Sequence, residues 1–248
     1  MSVRDGLRSL LSERRPLRAC LLGVAVLGLV LLAVWPHGTL DAAIRTGQAS
    51  DTFTVVAISF LLVLLYLGAR LGAEDLSADG GLRLHEYVTM TPVSLVSLVV
   101  SRLSTHAMHT GFLLLLGAPI LIVSMSVGGV GFAQVLEALA LAGSAGLVAR
   151  AWGLLAVAVA GSRRAPRGVI LFGGVAGSAA ASFFLSPAVS PFHVLATLSR
   201  GTESAAGWLP CAGASVAAAL ALGAGALGAF AAGRARARWR VAEGSRDG

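Results

Sequence analysis

Long apolar runs separated by short polar stretches organise this chain from end to end. A helix needs about 20 mostly apolar residues to cross the hydrocarbon layer of a bilayer, and six stretches meet that requirement. The first runs from Ala19 to Trp35 and is closed by Trp35-Pro36; the second runs from Thr52 to Ala69, between Asp51 and Arg70. From Leu103 to Leu136 there is neither an acid nor an arginine, a stretch too long for one straight span. Gly128-Gly129 and Gly131 mark a turn inside it, which predicts a third span at His106–Val127 and a fourth from near Val135 to near Gly161. The fifth covers Gly168 to Leu185, ahead of Ser186-Pro187, and the sixth Cys211 to Ala232, after Pro210. The predicted fold is all-α: a polytopic membrane protein with six transmembrane helices.

Composition agrees. Apolar residues make up 56% of the chain and charged residues 12%, against about a quarter charged in soluble domains. That excludes a disordered chain and argues against a soluble enzyme. All 19 basic residues are arginine. Without lysine there is no P-loop lysine, no Schiff-base lysine and no lysine general base, so the chain has no Walker motif of its own for ATP hydrolysis.

The position of the arginines predicts orientation, because they concentrate on the cytoplasmic side. Arg4, Arg8, Arg14, Arg15 and Arg18 precede the first span; Arg70, Arg83 and Arg102 follow the second; Arg163, Arg164 and Arg167 follow the fourth; Arg234, Arg236, Arg238, Arg240 and Arg246 follow the sixth. Sixteen arginines thus share one side, Arg45 and Arg200 take the other, and Arg150 lies within a span. The prediction is N-in, C-in. It places Cys20 and Cys211 on opposite faces, which argues against a disulfide between them. The apolar run follows Cys20 and no small-residue cleavage site follows Trp35, so the N-terminus is expected to be retained. In residues 1–18, Val3, Leu7, Leu10 and Leu11 fall at helical spacing among the arginines. This describes an amphipathic helix lying in the interface or, equally, a basic tail that fixes orientation.

The polar stretch richest in placed residues is the cytoplasmic loop Arg70–Arg102, which holds four of the chain's 12 acids: Glu74, Asp75, Asp79 and Glu86. Thr91 precedes Pro92 and is therefore biased away from helical geometry. A short surface helix over Leu82–Met90 is expected to stop there, and a new one to begin with Thr91 as cap and Pro92 in its first turn. The run Leu84-His85-Glu86-Tyr87-Val88-Thr89-Met90-Thr91-Pro92-Val93-Ser94, followed by apolar residues and Arg102, resembles the loop between the second and third spans of the type-2 ABC exporter permeases. The amphipathic N-terminus and Ser190-Pro191-Phe192 in the last outer loop resemble that family too; Arg83 and His85 depart from its common Gly-Thr-Leu type of lead-in.

The resemblance implies a single permease domain over residues 1–248, with an interfacial segment at 1–18, a coupling loop at 70–102 and a basic cytoplasmic tail at 233–248. It implies a transport subunit that is not itself an enzyme, in the bacterial cytoplasmic (inner) membrane. Two copies of a separate ATP-binding-cassette ATPase would carry ATP and magnesium, and a second permease subunit, identical or a sister, would complete the assembly. Leu84, His85, Glu86, Tyr87, Thr91, Pro92, Val93 and Ser94 would contact the ATPase. In the family the first and fifth spans meet across the dimer axis, which would give Gly173 and Gly177 a dimer contact; packing within one subunit is the other reading, and Ala224 with Gly228 is a similar small-residue pair. Lipid surrounds such a protein, and no nucleic-acid partner is expected.

Charges inside spans are costly and usually face a pathway or a partner. Glu137, near the outer end of the fourth span, and Arg150, 13 positions later, are candidates for a substrate path. Alternatively Glu137 sits at headgroup level and Arg150 bonds backbone or snorkels inward. His106 and His109 lie one turn apart at the start of the third span, with Arg102 a turn earlier; no acid or cysteine stands nearby in sequence, so no metal site is assigned. Gly143-Ser144-Ala145-Gly146 with the later His193 resembles the Ser/His order of rhomboid intramembrane proteases, which makes a hydrolase using Ser144 the alternative function; a non-transporting membrane scaffold is another. Asp75, Asp79-Gly80 and Arg83 resemble the CDP-alcohol phosphotransferase signature, but the spacing is off by one and the downstream aspartate pair is missing. The apolar spans favour a lipid-like or amphipathic cargo over sugars.

Overall fold

The computed structural model describes residues 14–36, 48–73, 88, 94–128, 130–160, 168–177, 187–199 and 207–244. Every regular element among them is helical: α1 (Arg14–Ala33), α2 (Gln48–Gly72), α3 (Leu95–Gly128), α4 (Phe132–Ala160), α5 (Gly168–Gly177), a 3-10 turn at Pro187–Val189, α6 (Pro191–Ser199) and α7 (Trp208–Gly244). Four of these, α2, α3, α4 and α7, are long and apolar enough to cross a membrane, and shorter apolar helices cover Leu17–Ala33 and Gly168–Gly177. The chain is a multi-pass helical membrane protein.

The helix ends differ from expectation in instructive ways. The third span begins at Leu95, eleven positions before His106, so Arg102 belongs to the helix and not to the loop. Leu95–Ser101 has no proline, glycine or charge to stop a helix. The cap is Ser94 and not Thr91: Ser94 Oγ accepts from the Ser97 amide at 3.4 Å and its carbonyl from the Leu98 amide at 3.0 Å, the bonding of an N-cap serine. At the N-terminus, residues 14–18 of the amphipathic segment are already the first turn of α1. At the other end, α7 does not stop at Ala232 but continues through the basic stretch to Gly244.

Helix α4 is the centre of the bundle. Its buried residues occur on every side, including the unbroken run Leu141–Gly146, as expected of a helix that is apolar all round. It packs most extensively against α7 and α2, and α3 closes a third side. Helix α3 turns one face inward through His106, Thr110, Leu113, Gly117, Leu121 and Ser124, a spacing of three or four throughout. Helix α7 does the same with Ala219, Gly223, Ala226 and Phe230. The outward faces of α1 and α5 are apolar and exposed, as at Leu22, Leu29, Val169 and Phe172, the surface that a bilayer covers.

Where α2 crosses α4 the backbones touch. A Cβ on Gly72 would collide with the Arg150 carbonyl oxygen and stand 2.9 Å from the Arg150 Cα; one on Gly153 would collide with the Ala69 carbonyl and stand 2.7 Å from the Ala73 nitrogen. Glycine on both helices is what allows this approach.

Two packed clusters fill the bundle. The larger runs along it from Cys20, Leu71 and Ala149 to Phe53, Val56, Val135, Val194, Leu195 and Cys211, where it gathers the start of α2, the start of α4, α6 and the start of α7. Side chains tie this Gly131 end together: Thr52 Oγ1 donates to the Val34 carbonyl at 3.1 Å, Cys211 Sγ to the Val189 carbonyl at 3.2 Å, and Gln134 Nε2 to the Leu198 carbonyl at 3.0 Å. The second cluster holds Ala73, Val88, Val99, Leu154, Val157, Ala158, Ala226 and Phe230, at the Arg234 end.

Candidate functional site

Arg150 sits where α4 is crossed by α2 and faced by α3. It is four residues past the midpoint of α4, about 6 Å along the axis, and only 1% of its surface is exposed. It therefore does not snorkel to the interface. Its Nη1 donates to His109 Nδ1 at 3.4 Å. An arginine has no acceptor, so the His109 ring proton in this contact is on Nε2. The neighbouring imidazole, His106, is 4% exposed, and neither of its ring nitrogens has a hydrogen-bond partner. Arg150, Arg102 and His109 are the charged and chargeable groups whose fields reach it.

Three of the four come from one face of α3. Positions 102, 106 and 109 are a turn apart, so they form a ladder that enters the bundle from the Arg234 end of the helix. Arg102 is about 10 Å, and His109 about 20 Å, from the start of α3. Arg150 approaches the ladder from α4. Of this cluster the sequence displays the α3 ladder; Arg150, on another helix, it offers only beside Glu137 as a candidate for a substrate path. Glu137 is half-buried in the second turn of α4, near the Gly131 end, and the 13 positions between it and Arg150 amount to roughly 20 Å along the helix. Helix spacing alone already keeps these two residues from pairing; the structure adds that Arg150 meets His109.

The hydroxyls of the spans serve their own helices. Thr110 Oγ1 donates to the His106 carbonyl at 2.9 Å, Ser124 Oγ to Leu121 at 2.8 Å and Ser144 Oγ to Leu141 at 2.9 Å, the usual way for a helical hydroxyl to be satisfied in apolar surroundings. Ser144 is buried and bonded within α4, while His193 is exposed on α6; no hydrogen bond joins them. Among the described residues no group of three or more His, Cys, Asp or Glu side chains is placed to hold a metal ion.

Of the coupling residues, Leu84, His85, Glu86, Tyr87, Thr91, Pro92 and Val93 lie outside the described residues, and Ser94 is the α3 cap. Val88, in the middle of that stretch, is described and is buried to 1% exposure in the second cluster. Its carbonyl oxygen accepts two hydrogen bonds from Arg234 of α7. No family model, curated protein or solved structure matches the chain. Gly173 and Gly177 are exposed on α5, and a Cβ on either would meet nothing within 4 Å. Between them, Gly174 packs on Trp152, whose Nε1 donates to the Ile170 carbonyl at 3.0 Å.

Sequence reasoning missed Arg234 and the Gly68/Gly72 pair of α2. Arg234 was one of a run of tail arginines, and nothing local distinguishes it from Arg236. The glycine pair has the small-xxx-small spacing of close helix crossings, but in a chain with 31 glycines that spacing is common by chance.

Proposed function

We propose that the chain is the membrane-spanning permease subunit of an ATP-driven exporter of the type-2 ABC kind, with six spans, both termini in the cytoplasm of a bacterium, and its ATPase on a separate polypeptide. The observation that carries this reading is the seating of Val88. A loop segment that receives force from a cytoplasmic motor has to be fastened to the spans it moves. Val88 shares one packed cluster with Ala73, directly after α2, and with residues of α3, α4 and α7, and a guanidinium of α7 grips its backbone. A displacement of this segment is therefore passed to a cluster in which these elements meet.

The six-span count has support from connectivity. Ala158 belongs to the cluster at the Arg234 end, whereas Val189 is bonded to Cys211 at the Gly131 end. The chain between them has to return across the bundle, and apolar α5 lies on that route. Two permease copies and two ATPase copies form the assembly on this reading, and the cargo is lipid-like or amphipathic.

The test is to purify the chain under mild detergent from its native membranes. A subunit with ATPase activity should accompany it, and Glu86→Ala and Pro92→Ala should each abolish ATP-dependent transport while the complex still assembles. Purification of the intact chain with no ATPase would overturn the exporter reading, and full transport by both variants would overturn the coupling assignment. The hydrolase alternative loses its support from the Ser144–Leu141 bond, which occupies the hydroxyl; unchanged phenotype in Ser144→Ala would dispose of it.

A further inference from the structure

We propose that Arg102, His106, His109 and Arg150 form a binding site for a phosphate group within the apolar bundle. The inference begins with His106. Its ring is almost fully enclosed, yet both nitrogens are without a hydrogen-bond partner. A buried polar group left so is destabilising by about 1–3 kcal/mol, and evolution had apolar residues of similar size at its disposal. The groups around the ring are all cationic or able to become so: Arg150, Arg102 and His109. Positive groups gathered around an open N–H donor are complementary to an oxyanion, which accepts several hydrogen bonds and supplies the opposite charge.

Two members of the cluster keep some exposure: Arg102 and His109 are half-buried, while His106 between them on α3 and Arg150 on α4 are buried. Arg150 meets His109 from α4. A phosphate held among the four would meet two guanidinium groups and two imidazoles. Arginine suits this task because its planar donors match phosphate oxygens in pairs.

The site is independent of the exporter reading, and its test needs no ATPase. Full-length protein, stripped of lipid in a non-ionic detergent free of phosphate, is unfolded by heat in two titrations: one with inorganic phosphate, one with phosphatidylglycerol in mixed micelles. Each is compared with sodium chloride at equal ionic strength. A ligand that binds the folded chain raises the unfolding midpoint in proportion to its saturation. The expected result is a rise of several degrees in one or both titrations, with affinity weakened roughly tenfold or more in His106→Phe, Arg102→Gln and Arg150→Met and unchanged in Arg70→Gln at the exposed end of α2.

A rise with phosphate alone supports a free ion as ligand, and a rise with phosphatidylglycerol alone supports a lipid headgroup. No rise beyond the chloride control, or the same rise in all three site variants, overturns the proposal. Should Arg150→Met fail to fold, as judged by its elution profile, His106→Phe and Arg102→Gln carry the comparison.

Discussion

Arg234 holds the carbonyl oxygen of Val88 with two donors of one guanidinium, Nε at 3.1 Å and Nη2 at 2.9 Å. The two residues are 146 positions apart, and the bond ties the segment ahead of α3 to the last helix. A planar fork that reaches one oxygen with two N–H groups is a property of arginine that lysine does not share. Arg234→Gln should therefore loosen Val88 by about 1–3 kcal/mol, and Arg234→Lys should fall between the variant and the parent. Trypsin has one site between Ala73 and Ser94, at Arg83. Cleavage there should be faster in Arg234→Gln, roughly tenfold for a loss of 1.4 kcal/mol; equal cleavage rates would show that the bond does not restrain the segment.

The α2–α4 crossing sets a second expectation. Gly72→Ala and Gly153→Ala place a methyl group against backbone atoms, which cannot rotate aside. Each should destabilise the protein by about 1–3 kcal/mol or more. Gly111→Ala, where nothing stands within 4 Å of the added carbon, should change stability by less than about 1 kcal/mol. Detergent denaturation of the three purified variants measures this, and a Gly72→Ala protein as stable as Gly111→Ala would contradict the close crossing.

Arg150 offers a contrast between removing charge and removing volume. Arg150→Ala empties the centre of the bundle and should cost about 2–5 kcal/mol, as large-to-small core changes do. Arg150→Met keeps much of the bulk and removes a buried cation, a replacement that is often neutral or stabilising. With no phosphate or anionic lipid present, thermal unfolding should rank Arg150→Met well above Arg150→Ala. Equal and large losses in both variants would mean that the guanidinium itself, rather than the volume of the side chain, holds the helices together.

The absence of lysine makes the orientation directly measurable. Phe132 and Val96 are both exposed and lie at the starts of α4 and α3, at opposite ends of the bundle. In the proposed N-in, C-in arrangement, a membrane-impermeant amine reagent applied to intact cells should label Phe132→Lys. Val96→Lys should react only after the membrane is opened. Labelling in the opposite pattern would invert the topology.

Much of this architecture was readable along the chain. Apolar length and helical spacing predict the spans, because a helix satisfies its backbone internally and needs no distant partner to do so in lipid. Helix ends were less legible. The charge-free Leu95–Ser101 could serve as loop or helix, and the Ser94 cap settled it. Likewise the basic run after Ala232 reads as a tail by charge, yet α7 continues through it while Arg234 reaches back to Val88.

The sequence by itself determined that this is an apolar, all-helical, multi-pass chain without lysine, and that Arg102, His106 and His109 share one helical face. Those are consequences of composition and of the 3.6-residue period, which act within a segment. The tertiary structure alone decided that Arg150 meets His109, that Gly72 rather than Gly177 takes a backbone contact within the chain, and that Val88 is gripped from α7. These depend on which faces of different helices come together, and in a chain so rich in small residues many faces pack almost equally well. Close glycine crossings and a few polar bonds choose among them.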